Sequence, residues 1–297
     1  MDIAITGSSG LIGSALASSL RSDGHRVRPI VRRAPSGPDE IAFDALRDTA
    51  WGAAATLNGI DAVVHLAGEG IAEKRWDDEQ KRKIMDSRRD GTRVVAEAVG
   101  RSEGTRVLLS ASAIGFYGNR GDEILTEDSP AGDGFLADVC VAWEQATEAA
   151  KGARVAHLRT GIVLSPRGGA LKKLLPLFKL GVGGRMGSGK QWMSWITLED
   201  EVRAITHLLS VDVKGPVNLT APNPATNAAL TKTLGRVLHR PTAIPVPSFG
   251  PKLLLGKELA ASLLNDSQRV MPERLVSSGF AHSHPQLEGA LRALLGR

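Results

Sequence analysis

Short apolar runs alternate with amphipathic stretches along the first half of the chain. Ile3-Ala4-Ile5 predicts a strand, and apolar spacing at Leu11, Ile12, Ala15, Leu16 and Leu20 predicts a helix ending near Gly24. Val27 to Val31 predicts a second strand. Asp61 to Ala67 predicts a third, nearly continuously apolar as a strand buried on both faces requires. A helix from about Asp77 to Val99 then leads to a strand at Arg106 to Ser110, and one from about Gly134 to Ala150 leads to a strand at Arg154 to Leu164. This alternation implies an α/β fold, a Rossmann-type doubly wound parallel sheet between helices. Pro29 lacks a ladder donor and predicts a bulge in the second strand.

After Leu164 the pattern changes. Ser165 to Gly189 is rich in Gly and Lys, Trp192 and Trp195 follow, and short strands then alternate with Leu-rich amphipathic stretches. The chain divides into a sheet domain over 1–165 and a smaller C-terminal substrate lobe over 166–297. The stretch 196–220 is compatible with a return to the sheet.

Composition narrows the class. The 297 residues are 42% hydrophobic and 23% charged, the mix of a soluble globular protein. The lone cysteine, Cys140, excludes an internal disulfide framework and a cysteine-based zinc cluster, so no metal is expected. The start of the chain carries no export signal, and no apolar run has the roughly 18 residues of a membrane span. A cytoplasmic protein without a membrane partner is expected. Lys plus Arg (37) exceeds Asp plus Glu (32). The excess does not point to nucleic acid, because Lys81, Arg82, Lys83, Arg88 and Arg89 are interleaved with Asp77, Asp78, Glu79, Asp86 and Asp90. Aromatics, at 4%, are also too few for a stacking platform.

The chemistry-bearing motif is Gly7-Ser8-Ser9-Gly10-Leu11-Ile12-Gly13, between the first strand and the first helix. Gly7 permits the tight turn, Gly10 lets a pyrophosphate approach, and Gly13 lets helix and strand pack closely. The helix N-terminus then faces the phosphates. A second glycine motif, Gly184 to Lys190, is rejected as a triphosphate loop, because Gln191 replaces the magnesium-binding hydroxyl and no strand precedes it. The second strand ends in Arg32-Arg33, with no acid before Asp39. Two guanidiniums suit a 2′-phosphate that a carboxylate would repel, so NADP(H) is expected over NAD(H).

Together with His65-Leu66-Ala67-Gly68, Gly91-Thr92 and Ser110 to Gly118, this motif resembles the NAD(P)-dependent epimerase/dehydratase superfamily of extended short-chain dehydrogenases/reductases. Asp86-Ser87-Arg88, Gly132 to Glu144, Gly187 to Trp195 and Pro222-Asn223-Pro224 resemble more narrowly its cell-division-inhibitor-related, epimerase-like subgroup, which ends in a small domain of unknown function. By position, the resemblance implies that Gly7, Gly10, Leu11, Ile12 and Gly13 surround the pyrophosphate. Arg32 and Arg33 meet the adenosine phosphate, and Leu66, Ala67 and Gly68 pass beside adenosine and ribose. Val163 lies near the nicotinamide. Arg88 takes the place of a superfamily asparagine and faces either the cofactor or a substrate anion.

The superfamily's catalytic Tyr/Lys pair is missing; Cys140 and Glu144 occupy its positions. Spacing i, i+4 puts them on one helix face, where Glu144 opposes thiolate formation and speaks against a nucleophilic Cys140. Ser112 is then the group that polarises a substrate oxygen, and Tyr117 or Glu144 the group that trades its proton. Two functions follow. One is an NADP(H)-dependent oxidoreductase or epimerase-like enzyme acting on a small-molecule substrate; the other is a non-catalytic NADP(H)-binding regulatory protein, favoured by the missing pair.

Overall fold

The computed structural model describes residues 1–44, 57–72, 74–242 and 266–297. β1 (Asp2–Thr6) turns into α1 (Leu11–Ser22), followed by β2 (Arg26–Val31), β3 (Ile41–Ala42) and β4 (Ala62–His65). The long α2 (Asp78–Arg101) precedes β5 (Val107–Ala113), β6 (Ile124–Leu125), α3 (Phe135–Gln145) and β7 (Arg154–Thr160). Next come β8 (Ile162–Leu164), α4 (Gly169–Lys179), β9 (Trp192–Met193), β10 (Trp195–Thr197), α5 (Leu198–Ser210) and β11 (Gly215–Leu219). β12 (Ala225–Thr226), α6 (Asn227–Leu238), β13 (Arg269–Val270), α7 (Glu273–Ser277) and α8 (Leu287–Leu295) complete the order.

Seven strands form one parallel sheet in the order β11-β7-β5-β4-β1-β2-β3. The fold is Rossmann-like, and chain order reverses between β1 and β4, where such sheets open a crevice at their carboxyl ends. Alternation along each strand feeds two cores. Ile3, Ile5, Val64 and Leu109 pack with Leu16 and Leu20 of α1 and Ile205 and Leu208 of α5. Ala4, Val63 and Leu108 point the other way, onto Val95 and Val99 of α2. Asp77 accepts from the Gln80 amide at 2.7 Å and fixes where α2 begins. Among the described residues no helix is long and apolar enough to cross a membrane.

The structure corrects three sequence expectations. β2 runs in unbroken register with β1 through Ile5↔Pro29, so there is no bulge. Arg26 donates inward to Met1, and strand alternation therefore turns the Pro29 nitrogen to the outer flank. β3 pairs there only with Ile30 and Val31, so Pro29 interrupts no ladder. The expected strand Arg154 to Leu164 is two strands, because at Gly161 the chain leaves β11 for β10. A Cβ on Gly161 would lie 2.6 Å from the Ser194 carbonyl oxygen, so only glycine fits the crossing. The helix expected to Ala150 ends at Gln145 and gives way to a 3-10 turn over Ala146–Ala149.

Beyond residue 165 the chain contributes to both bodies. β11 lies beside β7, and Leu275 and Phe280 join the core shared with α1 and α5. The smaller lobe has its own core of Leu164, Leu171, Phe178, Trp195, Leu234, Val237 and Leu291.

Candidate active site

The glycine turn closes the crevice by contact. Gly7 has φ +67°, and a Cβ there would lie 2.8 Å from the Leu66 carbonyl carbon; one on Gly13 would fall 2.2 Å from the Gly7 oxygen. Gly10 differs, since its Cβ would meet only that oxygen, at 3.3 Å. α1 begins at Leu11 with no acidic residue in its first turn, so its unpaired amides meet no competing negative charge there. The start of α4 abuts it: a Cβ on Gly168 would touch the Leu11 side chain at 3.0 Å, and one on Gly169 would approach the Val163 oxygen at 3.3 Å. The residues fit a dinucleotide, because glycines hold the backbone close on two sides while the exposed flank of Gly10 stays open.

Below the crevice, His65 is a clasp. The Thr6 hydroxyl oxygen accepts from the Leu66 and Ala67 amides at 3.1 and 3.2 Å. Its proton therefore goes to His65 Nδ1 at 2.7 Å, and His65 Nε2 donates to Thr92 at 3.0 Å. Burial, with a contribution from Arg88, lowers this imidazole to about 4, so it is neutral and a support rather than a base.

Arg32 and Arg33 are not equivalent. Arg33 forks onto Glu40 at 2.8 and 2.7 Å, and this pairing, with the Ser36 amide, brings the Glu40 carboxyl down to about 2. Arg32 is exposed and makes no ion pair among the described residues.

At the ends of β5, β7 and β11 a polar row crosses the sheet, for Ser112 is in register with Arg159 and Arg159 with Asn218. Ser112 donates to Glu144 Oε1 at 2.7 Å. Arg159 forks onto the same carboxylate, Nε to Oε1 and Nη2 to Oε2, both at 2.8 Å. Its Nη1 donates to the Tyr117 hydroxyl at 2.9 Å, and Tyr117 donates to Asn218 Oδ1 at 2.7 Å. The Arg159 guanidinium lies 3.5 Å from the Phe116 ring centroid. Glu127 Oε1 anchors the far end by accepting the Asn218 amide at 3.0 Å.

This geometry bears on three of the expected site residues. Tyr117 has no exposed surface and its hydroxyl is bonded on both sides, while burial raises its pKa. It braces Arg159, and its proton goes to Asn218. The single Ser112 proton points at Glu144, which leaves the lone pairs of the hydroxyl free in this arrangement. Cys140 is 3% exposed, and burial, then Glu144, push its thiol up to about 12, which leaves no thiolate near neutrality. Trp195 is fully buried and donates to the Asn223 carbonyl, whereas Trp192 is half-buried and donates to Asp122.

Arg159, Asn218 and Glu127 are site residues that pattern reading passes over. One signal was present: an arginine inside the run Val155 to Thr160 needs a buried partner. Arg88, from α2, donates by Nη1 to the Glu69 and Ile84 carbonyls at 2.9 and 3.3 Å. Its guanidinium sits 4.7 Å from the Trp143 ring centroid, and a Cβ on Gly68 would lie 3.3 Å from Cζ.

Comparison with known proteins agrees with the fold. Residues 3–220 match the NAD dependent epimerase/dehydratase family, and residues 246–294 match a domain of unknown function, DUF1731. The Mycobacterium tuberculosis "Epimerase family protein MT2273" is 46% identical, over 97% of this chain and 96% of that protein. The human "Epimerase family protein SDR39U1" is 35% identical over 99% of this chain and all of that protein. A crystal structure of human SDR39U1 (isoform 2) with NADPH superposes with a TM-score of 0.91 at 33% identity, covering 100% of this chain and 99% of that one. The chain belongs to the NAD-dependent epimerase/dehydratase family and carries the DUF1731 domain at its C-terminal end.

Proposed function

We propose that the protein is an NADP(H)-dependent, epimerase-like oxidoreductase in which Ser112 and Glu144 replace the missing Tyr/Lys pair. One observation carries this reading: Ser112 donates to a carboxylate that Arg159 holds by both oxygens. Exposed Arg32, the acid-free start of α1 and the NADPH in the human SDR39U1 structure support the choice of cofactor. The bound cofactor supplies hydride acceptance or donation at its nicotinamide. Ser112 takes the proton of a substrate hydroxyl on its lone pair while its own proton passes to Glu144, and the carbinol hydrogen leaves as hydride. Carbonyl reduction runs the same transfers backward. The shared C-terminal domain supports the narrower placement in the cell-division-inhibitor-related subgroup.

A second reading, a non-catalytic NADP(H)-binding regulator, draws on the buried thiol and ion-paired carboxylate that stand where the family pair belongs. One experiment separates the two. The protein is incubated with 4-deuterated NADPH and a small-molecule extract, and products are searched for deuterium by mass spectrometry. Label transfer that disappears in Ser112→Ala and Glu144→Gln, with NADPH binding kept, is the expected result. NADPH binding without any transfer favours the regulator.

A further inference from the structure

Arg88 is a partly buried cation with spare donors. Its Nη1 is spent on two backbone carbonyls, and one face is stacked on Trp143. Among the described residues no carboxylate forms an ion pair with it, although Glu69 and Cys140 act on its charge from farther off, and Nε and Nη2 donate to no protein group. Arg159 is matched by the Glu144 carboxylate, whereas the hydrogen bonds of Arg88, like those of Arg154, go to backbone carbonyls. Desolvation lowers the pKa of Arg88, and the opposing effects of Cys140 and Glu69 do not offset it.

The place of this cation matters more than its burial. Gly68, at the sheet end where the cofactor's ribose is expected, packs against the guanidinium. Trp143, which carries it, immediately precedes Glu144, the acceptor of the Ser112 proton. Cys140, one turn earlier on α3, feels the charge of both Arg88 and Glu144. The unused edge formed by Nε and Nη2 is a planar two-donor fork, the shape that fits two oxygens of one anion.

We infer that Arg88 receives the anionic group of the substrate, and that the substrate class is a hydroxy or oxo acid whose carboxylate lies beside the reacting carbon. Residues of α3 then serve both ends of one small molecule, Trp143 behind the fork and Glu144 behind Ser112. The inference rests on the oxidoreductase reading, and it fails separately, because anion binding is measured without turnover.

The test uses oxamate, a planar carboxylate next to a carbonyl group, titrated calorimetrically into the full-length protein saturated with NADPH. Arg88→Gln keeps an amide donor for the Glu69 carbonyl but removes the charge and the fork. The expected result is oxamate binding by the wild-type complex, weakened about 10- to 100-fold in Arg88→Gln, with NADPH affinity unchanged. Arg88→Lys, which keeps the charge without the fork, should fall between them, and thermal melts check that both variants fold. Three results overturn the inference: no oxamate binding by the wild type, equal binding by wild type and variants, or a loss confined to NADPH. The last would assign the fork to a cofactor phosphate. Deuterium transfer from NADPH can persist through any of these, so the broader reading stands or falls on its own measurement.

Discussion

At the ends of β1 and β4 the buried polar groups are neutral: Thr6, His65 and Thr92 share protons in a fixed order and hold the backbone at Leu66 and Ala67. At the ends of β5, β7 and β11 they are charged, with Arg159 and Glu144 paired beneath Ser112 and braced by Tyr117 and Asn218. Both clusters occupy C-terminal strand ends, where the fold places its chemistry, but they do different work. A neutral clasp is enough to position a cofactor's backbone contacts. A buried ion pair costs desolvation that an apolar pair would avoid, and here it fixes a carboxylate beneath Ser112.

The sharpest way to break the contrast is to remove one charge. Arg159→Met leaves Glu144 buried without its cation and should cost about 3–5 kcal/mol in urea unfolding. Adding Glu144→Leu should recover much of that loss, as the desolvated charge is gone. A small effect of Arg159→Met alone would show that water reaches the cluster.

For the neutral clasp, pH is the probe. His65 titrates near 6.5 when unfolded and near 4 when folded. Between those values only the unfolded chain binds the proton, so stability is lost as pH falls from 6.5 to 4 and is flat below. The full window is worth about 3 kcal/mol, an order-of-magnitude figure. Glu201, buried and raised to about 8, acts in the opposite sense, losing stability as pH rises from 4.5 to 8. The measurement is therefore the difference between wild type and His65→Asn across pH, in which the Glu201 contribution cancels. The difference should shrink through the acid window; a constant offset would mean His65 is solvated.

These clusters also mark what the sequence made legible. Gly7, Gly10 and Gly13 sit between one strand and the next helix, so local spacing was enough to find the crevice and its fold. Arg159 was visible as a charge in an apolar strand, but its partners lie 15 and 42 residues away, and no local period joins them. Tyr117 was legible as a loop aromatic near Ser112, yet the Arg159 and Asn218 bonds that occupy its hydroxyl arise only when β7 and β11 pair. The break at Gly161 depends on Ser194 in the same way. A smaller prediction follows. Tyr117→Phe should keep the fold and lose about 1–2 kcal/mol in urea unfolding, because Asn218 Oδ1 and one Arg159 donor lose their partner. If NADPH-dependent label transfer also vanished while NADPH binding held, the buttress reading of Tyr117 would give way to a catalytic one.

The two arginines at the end of β2 offer the finest comparison. Both were expected to meet a 2′-phosphate, but Arg33 already spends two nitrogens on Glu40 and a further bond on the Ala34 carbonyl. Recruiting it would mean breaking a formed ion pair, whereas Arg32 can turn to a phosphate without losing one. Arg32→Ala should therefore reduce the calorimetric preference for NADPH over NADH by about tenfold, the range of one charge-assisted contact. Arg33→Ala should change it far less and act by releasing the 36–40 loop that Glu40 ties down. Adding Glu40→Gln to Arg32→Ala sharpens the point, since it frees Arg33 and should restore part of the preference. Equal losses from the two single variants would show that Glu40 yields Arg33 to the phosphate, and that the arginines act as a pair after all.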